Sequence, residues 1–340
     1  MSQQPQQAVS GNTPAIIVDG VTRSFRSVKK EEGFKGTLKL LTNPEYITHE
    51  ALKGISFTIP QGEFTGLIGA NGAGKTTLLK ILSGLIPPTS GRAEVLGYTP
   101  FDRPLEFRKQ ISIVMGQKAQ LWWDLPALEA FDLIRALYQI DPQTYRKRLD
   151  ELTNLLDVTR LLNTQIRRLS LGERMKMEVI GAILHLPKVI YLDEPTIGLD
   201  VLAAQKLREF LKRHNQKEGA TIILTSHNMD DISELCKRIL LIKEGTLIYD
   251  GQPEALTKQD ECLLKVKLLS EPTLQEISDK VGVALEFIQK DEEDQTTYLL
   301  SITRSRITEY FQKLLSNFQV ADIGIQEPSL ERVIQRIYRQ

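Results

Sequence analysis

Three short apolar runs mark the middle of the chain, at residues 63–68, 189–192 and 221–225. Each has strand length and little polar alternation, which is the pattern of a strand buried on both faces. Segments with apolar residues at helical spacing lie between and after them, at 145–156, 173–186 and 203–215. Strands alternating with helices over residues 55–250 predict an α/β domain with a mainly parallel sheet. Upstream, 15–19 reads as a short strand and 21–26 continues extended. Residues 26–50 are polar and of mixed charge, with one mildly amphipathic piece at 34–41. They read as a surface insertion between two strands or as a docking element for a partner or lipid headgroups.

A second rhythm begins near residue 261. Strands are expected at 263–268, 284–289, 296–302 and 320–325, and helices at 273–281, 307–318 and 329–338. That order, β-α-β-β-α-β, predicts a small α+β ferredoxin-like domain over 261–340. It holds no catalytic cluster, so its expected role is regulation or dimer stabilisation. The larger domain is expected at 15–255, with a helical subdomain at about 105–185. The Gln-, Ser- and Pro-containing stretch 1–14 reads as a disordered tail. A chain of 340 residues accommodates two domains.

Composition narrows the function classes. Lys plus Arg and Asp plus Glu number 43 each, so nothing in the net charge favours wrapping nucleic acid. Two cysteines make neither a disulfide scaffold nor a zinc site, and a reducing compartment fits them. The most apolar stretch, 179–192, is interrupted by His185, Pro187 and Lys188, so no transmembrane helix is expected. The N-terminus lacks the pattern of a secretory signal. The expected location is therefore cytoplasmic, and any membrane task requires another chain to do the spanning.

The chemistry starts at Gly69-Ala70-Asn71-Gly72-Ala73-Gly74-Lys75-Thr76, which fits G-x-x-x-x-G-K-[ST] between a strand and a helix. Glycines let successive N–H groups turn toward phosphate oxygens, and the helix N-terminus adds positive potential. Lys75 is expected to reach the β- and γ-phosphates, Thr76 to ligate Mg²⁺, and Thr77 to lie at the same phosphates. The run 189–192 ends in Asp193 and Glu194. Asp193 is the expected partner of Mg²⁺, and Glu194 is placed to polarise the attacking water. Between them, Ser170 and Glu173 form S-x-x-E, a capping box for the helix that follows.

With Leu169-Ser170-Leu171-Gly172-Glu173-Arg174 the chain resembles the ATP-binding cassette (ABC) family, whose signature commonly reads Leu-Ser-Gly-Gly-Gln before a helix. A capped helix start suits the family role, in which that N-terminus faces the γ-phosphate of ATP on the other subunit. The resemblance spans about residues 15–250 and orders the remaining positions. Phe25 matches the residue that stacks on adenine. Gln117 matches the glutamine that senses Mg²⁺ and water and links to the membrane partner. Asp200 matches the loop that communicates across the dimer, and His227 the switch that contacts the γ-phosphate. Two departures stand out: Leu171 where Gly is common, and Glu173 where Gln is common. Leu171 either weakens the sandwich or points away from the phosphate.

The resemblance implies an ATPase that closes head to tail as a homodimer, or with a homologous cassette, around two ATP molecules. Each site joins the phosphate loop of one chain to Ser170 and Gly172 of the other. A single cassette, without heptad insertions or cysteine clusters, looks most like a transporter subunit driving separate integral membrane permease chains. Its details are most similar to ABC-2-type exporters. A methionine-type importer cassette and a soluble, non-transport ATPase are the alternatives. Docking of the permease is expected near Gln117 and Trp122-Trp123, placing the chain on the inner face of the cell membrane. The two adjacent tryptophans are both core, or one is an exposed anchor.

Overall fold

A computed structural model describes residues 14–28, 46–115, 119–257, 261–291, 294–327 and 330–339. Residues 1–13 of the expected tail and Gln117 fall outside these residues, as does 29–45 of the expected insertion; Pro14, the tail's last residue, opens a strand. The chain divides into two compact units between Gly251 and Gln252.

The first unit opens with β1 (Pro14–Val28), β2 (Tyr46–Pro60), β3 (Phe64–Gly69), α1 (Lys75–Leu82), β4 (Ser90–Val95), α2 (Leu105–Gln110) and β5 (Ile111–Met115). It continues through α3 (Ala127–Tyr138), α4 (Pro142–Leu155), α5 (Leu171–Ile183), β6 (Val189–Asp193), α6 (Val201–Glu218), β7 (Thr221–Thr225), α7 (Met229–Leu235), β8 (Arg238–Lys243) and β9 (Thr246–Gly251). The main sheet has the order β5-β6-β7-β3-β8-β9. All its pairs are parallel except β8–β9. The three runs without alternation are its centre: every residue of β3 and β7 is buried, as are the first four of β6. In such a sheet the ligand crevice lies outside the carboxyl ends of the strands. The loops after β3, β6 and β7 all emerge there.

A smaller antiparallel sheet has the order β2-β1-β4. Its register corrects the boundary of the expected insertion. Residues 26–28 pair with 46–48, and Phe25 and Ser24 with His49 and Glu50, so both ends of that span are strand. Residues 111–115, inside the expected helical subdomain, are likewise a strand of the main sheet. The helices that follow are delimited locally. Asp141 caps α4 by accepting from the N–H groups of Gln143 and Thr144, at 3.1 and 2.9 Å.

Two histidines of this unit are withdrawn from solvent, His214 buried and His185 partly so. His185 stacks on Tyr138, with ring centroids 3.8 Å apart, and His214 lies on α6 beside Phe210. Burial pushes both imidazoles down to about 4. The unfolded chain therefore takes up these protons first, and stability present above about pH 6.5 is lost as pH falls toward 4. The expected loss is about 1–3 kcal/mol per histidine. Urea midpoints measured across that range will show the slope, and the pair of changes His185→Gln and His214→Gln will flatten it.

The second unit holds α8 (Pro253–Thr257), β10 (Glu261–Leu268), α9 (Leu274–Ile277), β11 (Ile288–Lys290), β12 (Thr297–Thr303), α10 (Ile307–Asn317), β13 (Val320–Gln326) and α11 (Leu330–Arg339). Its antiparallel sheet has the order β11-β12-β10-β13, so the βαββαβ run is ferredoxin-like. Leu264, Val266, Tyr298 and Leu300 pack there against Ile277, Val281 and Leu314. The strand expected at 284–289 is shorter and later, because a 3₁₀ turn takes Leu285–Phe287. Among the described residues no helix is long and apolar enough to cross a membrane.

Candidate active site

The phosphate loop turns from the end of β3 into α1. Gly74 stands at the helix cap with φ 113°, and a Cβ there would meet the Ala51 carbonyl oxygen at 2.6 Å. Only glycine fits that turn. Lys75 is 6% exposed, and its Nζ donates to the Gly69 carbonyl at 2.5 Å and to that of Ala70 at 3.2 Å. Burial pulls its pKa down, against the opposing pull of Glu194 and Asp193. The ammonium is thus held at the mouth of the loop by two backbone oxygens.

The metal-type oxygens meet across the loop. Thr76 Oγ1 donates to Asp193 Oδ2 at 3.1 Å, and Thr225 Oγ1 donates to Asp193 Oδ1 at 2.6 Å. Thr225 also fixes the next residue. The Glu194 N–H donates to the Thr225 carbonyl at 3.0 Å and to its Oγ1 at 3.1 Å. Glu194 itself has φ 55°, a left-handed conformation immediately before Pro195. A non-glycine residue persists there only where its surroundings hold it, and such strain gathers at working sites. His227 Nε2 lies 3.0 Å from Glu194 Oε1 and 3.0 Å from Asn71 Oδ1, so the loops after β7, β6 and β3 join at one imidazole.

These groups border a cleft of about 390 Å³ lined by residues 70–72 and 74–77, Asp193 and Glu194. Phe25 closes another side with Ala51, its ring 4.7 Å from the Arg23 guanidinium carbon. The cleft therefore has an aromatic wall, the phosphate loop, one buried cation and two carboxylates. Such a set of groups is chemically suited to a base, a polyphosphate and a divalent cation.

Ser170, Gly172 and Asp200 do not line it. Ser170 caps α5: its Oγ accepts from the Glu173 N–H at 3.2 Å, and Glu173 Oε2 accepts from the Ser170 N–H at 3.0 Å. Asp200 caps α6 by accepting from the Ala203 N–H at 2.8 Å. Trp122 and Trp123 are both exposed, in an irregular segment rather than a strand. Buried Glu178 accepts from the N–H groups of Gln120 and Leu121 and so pins the turn that presents them. Its pKa is raised by burial.

Three participants carry no motif of their own. His49 lines the cleft as the cross-strand partner of Phe25. Thr225 orients both acids. Asp231, fully buried, accepts from Thr196 Oγ1 at 2.5 Å, from Ser226 Oγ at 2.6 Å and from Arg208 Nη1 at 3.0 Å. It ties the segments on either side of His227 and Glu194 to α6.

Residues 52–197 match the family described as ABC transporter. The ABC transporter ATP-binding protein NatA of Bacillus subtilis is 31% identical over 211 residues, covering 62% of this chain and 85% of NatA. The linearmycin resistance ATP-binding protein LnrL of the same organism is 30% identical, covering 83% of this chain and 91% of LnrL. Among solved structures, an ATP-binding subunit of an ABC transporter superposes with TM-score 0.60 at 26% identity, covering 72% of this chain and 92% of its own. The cassette MJ0796, in a dimeric post-hydrolysis state bound to ADP and Pi, superposes with TM-score 0.59 at 25% identity, covering 70% and 98%. This chain belongs to the ABC transporter ATP-binding proteins, and the reaction of its phosphate-loop domain is the hydrolysis of ATP.

Proposed function

We propose that this chain is the ATP-hydrolysing subunit of an ABC-2-type exporter and that it works as a pair of cassettes around two ATP molecules. The observation that carries the pairing is a split site. The cleft holds the phosphate loop, Asp193 and Glu194, whereas the capped N-terminus at Ser170–Gly172 is no part of its lining. A helix N-terminus of thirteen residues facing solvent is suited to a γ-phosphate brought by a second chain. The solved relative MJ0796 is described as dimeric.

Within each site Phe25 stacks on the base and residues 69–77 wrap the phosphates. Lys75 places its charge at the β- and γ-phosphates. Glu194, held in its strained backbone by Thr225, orients a water and accepts its proton. His227 keeps that carboxylate at the γ-phosphate side through Nε2. The hard oxygens of Thr76 and Asp193, adjacent at 3.1 Å, fit Mg²⁺, with Gln117 as a further contributor. When bound, that ion neutralises charge on the transferring phosphoryl group. ATP favours the closed pair, and hydrolysis and release reopen it.

The export direction draws on the relative named for linearmycin resistance. Its similarity covers 83% of this chain, more than the first unit holds. We propose the permease contact at Trp122 and Trp123, 45% and 49% exposed; Trp122 borders a groove of about 360 Å³ that Leu85 and Leu137 also line. Through that contact the chain sits on the inner face of the cell membrane. Changing Trp122→Ala together with Trp123→Ala will lower the yield of co-purified permease at least about tenfold, since large aromatic anchors dominate such contacts. ATP binding, followed by titration, will stay at the parental affinity. A full yield of permease refutes the docking site.

A further inference from the structure

The signature turn and the loop after the acid pair each carry one leucine and one glycine, and the two pairs interlock within a single chain. Leu171 lies over Gly198: a Cβ added at 198 would fall 2.2 Å from Leu171 Cδ2. In return, a Cβ added at Gly172 would lie 3.1 Å from Leu199 Cδ2. Gly198 has φ +72°, so its position demands glycine twice, for the backbone and for the space that Leu171 fills. Leu171 remains 41% exposed, with one side on the loop and the other open.

The loop's own turn consists of the Ile197 N–H donating to the Glu194 carbonyl at 3.3 Å and the Leu199 N–H donating to that of Thr196 at 3.1 Å. Its far end is anchored by the Asp200 cap, and its near end by Thr196 on Asp231. Order in residues 196–199 therefore passes directly to the backbone of Glu194, through the carbonyl that receives Ile197.

We infer that Leu171 and Leu199 form a latch that fastens the signature turn to the loop beginning at Glu194, so that both advance as one body when the ATP site closes. Leu171 is then a positioning residue for hydrolysis, and its bulk at a place where glycine is common is the means. The kinetic consequence rests on the paired-cassette reading above, whereas the latch itself exists without nucleotide.

Leu171→Ala deletes the contact while keeping a good helix former at the first position of α5. In the nucleotide-free protein, amide exchange at Ile197 and Leu199 is expected to quicken about fivefold, with the Ser170-capped amide of Glu173 unchanged. With Mg-ATP, kcat is expected to fall about fivefold at an unchanged KM. Leu171→Met restores both readouts, and Leu171→Ala combined with Leu199→Ala is no worse than either alone. Unchanged exchange at Ile197 and Leu199 overturns the latch. Quickened exchange with parental kcat overturns the positioning role. Failure of the pairing shows separately, as a Glu194→Gln chain that stays monomeric in ATP.

Discussion

Lys75→Ala abolishes turnover, lowering it at least about a hundredfold, and weakens nucleotide binding in the same step. Lys75 is the buried cation of the cleft and is held there by the Gly69 and Ala70 carbonyls. Burial already depresses its pKa, and the two nearby carboxylates offset only part of that pull. A polyphosphate supplies the missing negative charge, so the gain on binding is larger than for an exposed lysine. Removing the ammonium also leaves a divalent cation as the sole counter-charge between the phosphates and the carboxylates of Asp193 and Glu194. Phosphate release and nucleotide titration on the purified chain check both effects. Turnover near the parental rate refutes the role given to the phosphate loop.

Glu194→Gln separates binding from chemistry. The amide is isosteric, retains an oxygen for His227 and keeps the two backbone bonds to Thr225, so the cleft stays built. It cannot take a proton from water. Loss of a general base costs about 10²–10⁴ in rate. ATP affinity is expected within about twofold of the parent, since no binding contact is removed. With the reaction stopped, the closed state accumulates, and light scattering in ATP will show twice the monomer mass while ADP does not. Hydrolysis at the parental rate removes Glu194 from the base role.

Much of this was legible because its causes are local. The phosphate loop is a contiguous string whose glycines answer to one turn. The capping box at Ser170 and Glu173 spans four residues; with Ser170 as the cap the helix starts at Leu171, two residues before the expected 173. Strands β3, β6 and β7 are readable since burial on both faces leaves no alternation to misread. The outer end of β2 is different. All five residues of 46–50 are exposed, so no buried face marks it as strand, and only pairing with β1 reveals it. The sequence leads one to expect both tryptophans in the core or one exposed, whereas their irregular segment exposes both, since no strand or helix there turns either side chain inward. The Asp231 network joins Thr196, Arg208 and Ser226, and the latch joins Leu171 to Gly198. No local pattern records contacts of that separation.

In the function proposed above, this ATPase works on a membrane-spanning partner. The most direct test expresses Glu194→Gln in the native cells, traps it with ATP, extracts it in mild detergent and identifies what co-purifies. A polytopic membrane protein is expected, retained in ATP and lost when Trp122 and Trp123 are changed to alanine. Ribosomes, DNA-repair factors or no membrane protein at all would contradict that proposal.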